Sequence, residues 1–182
     1  MKTTRSNVFE TNSSSVHTVC IQPVKKDLEP RAGLYFDVDD DNNIVVHMHE
    51  FGWAGNCDTP EEKLSYLCLL IWSFLNQIGN PAVDSVEGSF FLANEKEYAK
   101  AAETVENTEE FDRIRRILKE KFKCNDVIIS RDNSDGYIDH QSTDDYRSID
   151  QWYKDNGITD DADIYNFLVG PSYIEIDNDN HY

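Results

Sequence analysis

The stretch TPEEKLSYLCLLIWSFLNQI, Thr59 to Ile78, is followed by Gly79-Asn80-Pro81. Thr59 offers a hydroxyl to cap a helix start, and Glu62 completes a capping box with it. Pro60 suits the first helical position because its missing N–H would have gone unpaired there. Gly79 and Pro81 supply the stop signal at the other end. Between these signals Leu64, Leu67, Cys68, Ile71, Leu75 and Ile78 recur at helical spacing. Leu69, Leu70, Trp72 and Phe74 make the other flank apolar as well, so a helix of roughly five turns has almost no face to give to water. It belongs at the centre of a domain, and the rest of the chain has to enclose it.

Upstream, residues 16–21 carry β-branched side chains at strand spacing and stop before Pro23. Residues 34–38 and 44–49 read as two more strands. Between them, Asp39-Asp40-Asp41-Asn42-Asn43 favours a turn through side-chain to backbone bonds, which makes a hairpin. Downstream, 90–92 reads as a short strand and 95–105 as a short helix. Thr108 caps a further helix whose Phe111, Ile114, Leu118 and Phe122 form one apolar stripe opposite Arg113, Arg116, Lys119 and Lys123. A strand at 127–130, a capping box from Ser148 to Gln151 before Trp152, a helix at 159–168 and a strand at 173–176 complete the pattern. The prediction is an α+β fold: a mixed or antiparallel sheet, a buried central helix and several shorter helices. It spans 1–182 as a single acidic domain, or carries an acidic C-terminal lobe from about residue 126.

With 182 residues, 39% hydrophobic and 12% aromatic, the chain is long enough and apolar enough to bury a core. Its formal charge of −18 is uneven. Residues 126–182 hold fourteen acids against Arg131, Arg147 and Lys154, whereas residues 1–31 are slightly basic. Phosphate backbones are held by Lys and Arg with counterion release, so a field of this sign disfavours free nucleic acid and favours a basic partner. Cys20, Cys57, Cys68 and Cys124 are widely spaced without a CxxC and read as reduced core thiols. The longest apolar stretch is too short and interrupted to span a bilayer, and the expectation is a cytoplasmic protein.

Several constellations could carry chemistry. In RSNVFETNSSSVH, residues 5–17, Glu10, Asn12, Ser13 and His17 place a hydroxyl nucleophile near a base, and Asp139 and His140 supply another polar pair. No G-x-S-x-G elbow accompanies them, and adjacent Ser and Asn side chains also tie down a loop through its own backbone. His47 and His49, two apart on a strand with Glu50 and Cys57 following, form half of a zinc pattern without assignable third and fourth ligands, so no metal is expected. Asp132 to Gly136 resembles the start of a calcium loop, but Thr143 falls where the bidentate acid belongs. Glycine is sparse, no phosphate-cradling loop is present, and no cofactor is expected. Carboxylates spaced along a surface can also imitate phosphates. Asp37, Asp39, Asp40, Asp41, Asp144, Asp145, Asp160, Asp161 and Asp163 are the candidates, with Tyr146 and Tyr153 as exposed aromatic support.

The run 5–17, His49-Glu50-Phe51-Gly52-Trp53, Lys63-Leu64-Ser65-Tyr66-Leu67 and GYIDHQS at 136–142 together resemble a family of small proteins from phages and mobile elements of gut Firmicutes. Length, acidity and the N-terminal motif are also similar to phage-type anti-CRISPR proteins that inhibit Cas9. The resemblance implies a noncatalytic inhibitor in the host cytoplasm that binds Cas9 with its guide RNA, or another basic nucleic-acid-binding protein, and blocks target DNA binding or cleavage. Two other readings stay open: a phage-encoded hydrolase or nucleotide-modifying enzyme using the Ser/His/Asp residues, and a structural or interaction protein of the phage particle.

Overall fold

The apolar run after Thr59 folds as helix α1 (Pro60–Gly79) in a computed structural model that describes residues 15–19, 31–51, 55–79, 90–92, 95–131, 136–138 and 148–178. The capping box forms as the sequence predicts. Thr59 Oγ1 accepts from Glu62 N at 3.2 Å, and Glu62 Oε2 accepts from Thr59 N at 3.0 Å. Leu64, Tyr66, Leu67, Cys68, Leu69 and Leu70 are all buried, which puts both flanks of the helix in the core. Each such leucine contributes about 1.5–3 kcal/mol. Leu75, predicted with the apolar face, is instead 41% exposed near the helix end.

The architecture is α+β, and sheets of three strands surround α1. Strand β1 (Ser15–Val19) and strand β5 (Gly55–Cys57) both pair antiparallel with β9 (Ile174–Asn178). In a mixed sheet, β2 (Asp37–Val38) runs antiparallel to β3 (Ile44–Val46), which runs parallel to β7 (Val127–Ile129). Strand β4 (Glu50–Phe51) lies parallel to β8 (Gly136–Ile138), whose other edge takes β6 (Phe90–Leu92) antiparallel. Helices α2 (Glu95–Glu106), α3 (Glu109–Phe122), α4 (Ile149–Asp155) and α5 (Asp161–Val169) complete the described elements. Helix α1 touches α2, α4 and α5 as well as β3, β5 and β8. Among the described residues Trp152 is the largest fully buried side chain, with Tyr66, Tyr153 and Phe167 packed round it at ring-centre distances of 6.1, 5.7 and 5.6 Å.

Two predicted strands are shorter than expected, for identifiable reasons. The run 34–38 reduces to β2, because Leu34 N, Tyr35 N and Phe36 N bond back to Arg31 O and Ala32 O in a 3-10 turn at Ala32–Leu34. Leu34 is left 74% exposed. The run 44–49 ends at Val46 because the next amides find side chains instead of a strand: Met48 N donates to Tyr98 Oη at 2.7 Å and His49 N to Ser65 Oγ at 2.7 Å.

Candidate functional site

The hairpin between β2 and β3 is built by its own carboxylate. Asp39 Oδ1 accepts from Asn43 N at 2.8 Å and Asp41 N at 3.0 Å, and Oδ2 accepts from Asn43 Nδ2 at 2.9 Å. These bonds, led by the Asn43 amide, hold its carboxyl below the usual range. Asn42 takes the left-handed conformation, φ 57°, that lets the turn close. The C-terminal end of α3 and the residues just beyond it then grip the tip, with Asn125 Nδ2 donating to Asp41 O at 2.6 Å and Asn42 Nδ2 to Lys123 O at 3.2 Å. Asp40 and Asp41 point their side chains into solvent from this braced turn, and no described residue binds their carboxylates. Asp37 lies 3.3 Å from His47 Nε2.

The other predicted acids serve the fold. Asp160 caps α5 by accepting from Asp163 N at 2.9 Å, and Asp163 returns to Thr159 N at 2.9 Å and Thr159 Oγ1 at 2.7 Å. Asp161 receives Arg113 Nε at 2.8 Å and Arg116 Nη2 at 3.0 Å, and those bonds lower its pKa. The basic face of α3 is thereby largely occupied by ion pairs: Arg113 and Arg116 hold Asp161, Arg115 holds Asp112 and Asp126, and Lys119 lies 3.4 Å from Asp126. Tyr153, predicted as an exposed contact, is 3% exposed and belongs to the core. Its position between α3 and α4 sets its ring beneath Arg113 and its hydroxyl, pushed up by burial and by Glu110, away from any partner molecule. Asp144, Asp145 and Tyr146 lie outside the described residues. The surviving exposed set is Asp37, Asp40 and Asp41.

Of the alternative polar site, Glu10, Asn12, Ser13, Asp139 and His140 lie outside the described residues, and only the backbone of His17 is placed, opposite Ile176 in β9. The described parts of three motif stretches, 49–51, 63–67 and 136–138, meet at α1, while residues 15–17 pair with β9. His49 N bonds Ser65, the Phe51 and Tyr66 rings meet edge-to-face at 5.6 Å, and Glu50 and Phe51 pair with Tyr137 and Ile138. Lys63, in the same motif, is the residue that sequence reasoning missed. It is fully buried, and its Nζ donates to Gly170 O at 2.8 Å, Ser172 O at 3.1 Å and Ser172 Oγ at 3.3 Å. Desolvation lowers its pKa to about 8.

Among the described residues no group of three or more His, Cys, Asp or Glu could enclose a metal ion. Cys57, the thiol predicted near the histidine pair, is buried with its pKa pushed up to about 12 by desolvation, so it is no ready thiolate. Cys57, Cys68 and Cys124 are free and buried. No described helix is long and apolar enough to cross a membrane. No protein family, curated protein or solved structure matches the chain.

Proposed function

We propose that this protein is a noncatalytic inhibitor that binds Cas9 carrying its guide RNA and blocks target DNA binding or cleavage. The observation that carries the reading is the braced β2–β3 turn, which presents Asp40 and Asp41 beside Asp37, with no described residue bonded to the first two carboxylates. Carboxylates on a rigid turn compete for Arg and Lys groups that otherwise hold phosphate, because they need no ordering when they dock. Cas9 offers such groups in its heteroduplex channel and among the arginines that read the adjacent DNA motif. The net charge of −18 adds long-range attraction to that basic surface.

Gel filtration with Cas9 and guide RNA, at low and high salt, tests this together with a DNA cleavage assay on the same samples. Co-elution that weakens with salt and accompanies lost cleavage is expected. The paired change Asp40→Lys and Asp41→Lys abolishes it, since neither side chain supports the fold. No association and full cleavage would overturn the proposal. The second reading is an enzyme using Glu10, Asn12, Ser13, His17, Asp139 and His140, of which only the backbone of His17 is described. On that reading Ser13→Ala or His140→Ala removes an activity while the charge reversals do nothing. Indifference to both sets of changes points to a structural protein of the phage particle.

A further inference from the structure

We propose that His47 and His49 form a chelating pair for a borderline divalent cation of the zinc or nickel class. After β3 the backbone keeps its alternation, so Met48 points into the core while the imidazoles on either side of it emerge half-exposed. The ring centres stand 6.4 Å apart with planes inclined by 32°. Tyr98 Oη on Met48 N and Ser65 Oγ on His49 N fix the backbone of this segment from two helices, so the residues that carry the two rings are held in place.

Each ring has a carboxylate at its outer nitrogen. Asp37 Oδ2 lies 3.3 Å from His47 Nε2, and Glu61 Oε1 lies 3.7 Å from His49 Nε2. The Asp37 bond favours the proton on His47 Nε2 and leaves its Nδ1 lone pair as the donor, as for metal-bound histidines held by a carboxylate, whereas Glu61 stands at ion-pair distance from His49 without a hydrogen bond. An imidazole nitrogen binds zinc at about 2.0–2.1 Å, so two rings sharing one ion stand roughly 5–6.5 Å apart. At the tetrahedral angle the ring centres stand about 5 Å apart, so the two half-exposed side chains must rotate toward each other by about 1 Å to share an ion. Two nitrogens leave the remaining positions to water, in keeping with the lack of an enclosing ligand set among the described residues. Imidazole donors select zinc, nickel or copper, whereas magnesium goes to oxygen.

The test is calorimetric titration of the full chain with Zn²⁺ and with Ni²⁺ in excess Mg²⁺, which occupies the scattered surface carboxylates. One ion per chain is expected, with affinity reduced at least tenfold by His47→Ala or His49→Ala and less by Asp37→Asn. Ring resonances of both histidines should shift together in the NMR spectrum as Zn²⁺ is added. Circular dichroism confirms that the variants fold, and His47→Gln with His49→Gln replaces the alanine forms if they do not. Absence of saturable binding, or binding that survives loss of both imidazoles, overturns the proposal.

Discussion

Lys63 exchanges water for three neutral oxygens, and its titration records the cost of doing so. The folded chain holds the amine at about 8, against 10.5 for an ordinary lysine. Between those values the unfolded chain binds the extra proton, so stability rises with pH, by up to about 3 kcal/mol for this one group. Cys57 and Cys68 act with the opposite sign: their raised pKa values stabilise the fold below about pH 9, and that contribution is lost as pH rises further. Urea unfolding from pH 7.5 to 9 should therefore show the natural chain gaining about 1 kcal/mol relative to Lys63→Met, in which only the decline due to the thiols remains. Glu110 offers a second case. Burial raises its pKa, and its Oε1 has no hydrogen-bond partner among the described residues, with Arg113 Nη1 3.9 Å away. A carboxyl raised in this way contributes stability below its unfolded value that is lost as pH rises through the folded one. Glu110→Gln should raise the Tm at pH 7 and leave it unchanged near pH 4. None of this was legible in the sequence, because the acceptors of Lys63 lie 107 and 109 residues further along the chain. Nor does the polar surround of Trp152-Tyr153 announce that both rings are buried.

Helix ends were the most legible feature, since a cap is written within four residues. Thr108 Oγ1 accepts from Phe111 N at 3.1 Å and Ser148 Oγ from Gln151 N at 3.2 Å, although the Gln151 side chain donates to Asp155 Oδ1 instead of closing the expected capping box. Thr108→Ala should cost about 1 kcal/mol in thermal or chemical unfolding. Strand ends were less legible, because what stops β3 is a hydroxyl from Tyr98 and another from Ser65, both supplied by distant helices. The same applies to the clamp between α3 and α5. Arg113 and Arg116 converge on Asp161 from 48 and 45 positions away, so a basic stripe in the sequence becomes a joint between two helices at the surface. Its groups stay partly exposed, and Asp161→Asn should therefore cost no more than about 1 kcal/mol, with the difference shrinking at high salt.

The central place of α1 followed from its own sequence, because a helix apolar on both flanks has to be enclosed, and the fold class followed from the mixture of strand and helix patterns around it. The candidate site did not follow in the same way. Charge counts marked Asp160, Asp161 and Asp163 as strongly as Asp40 and Asp41, although the first three are spent on caps and ion pairs. Only three-dimensional pairing separates the two groups. The core they enclose centres on Trp152, whose removal as Trp152→Ala should cost about 3–5 kcal/mol, read by urea unfolding. Sheet order adds one consequence for how the chain is made. β9 is the common partner of β1 and β5, and its register joins Ser15–Val19 to residues 174–178. A ribosome must deliver residue 178 before either strand can find its neighbour, so β1 waits through the synthesis of everything between them with its amides unpaired by that sheet. Closure of so long a loop is slow. Of the described strands the one made earliest is thus the one that stands open longest on the nascent chain, and a late step of assembly falls on residues that were translated early.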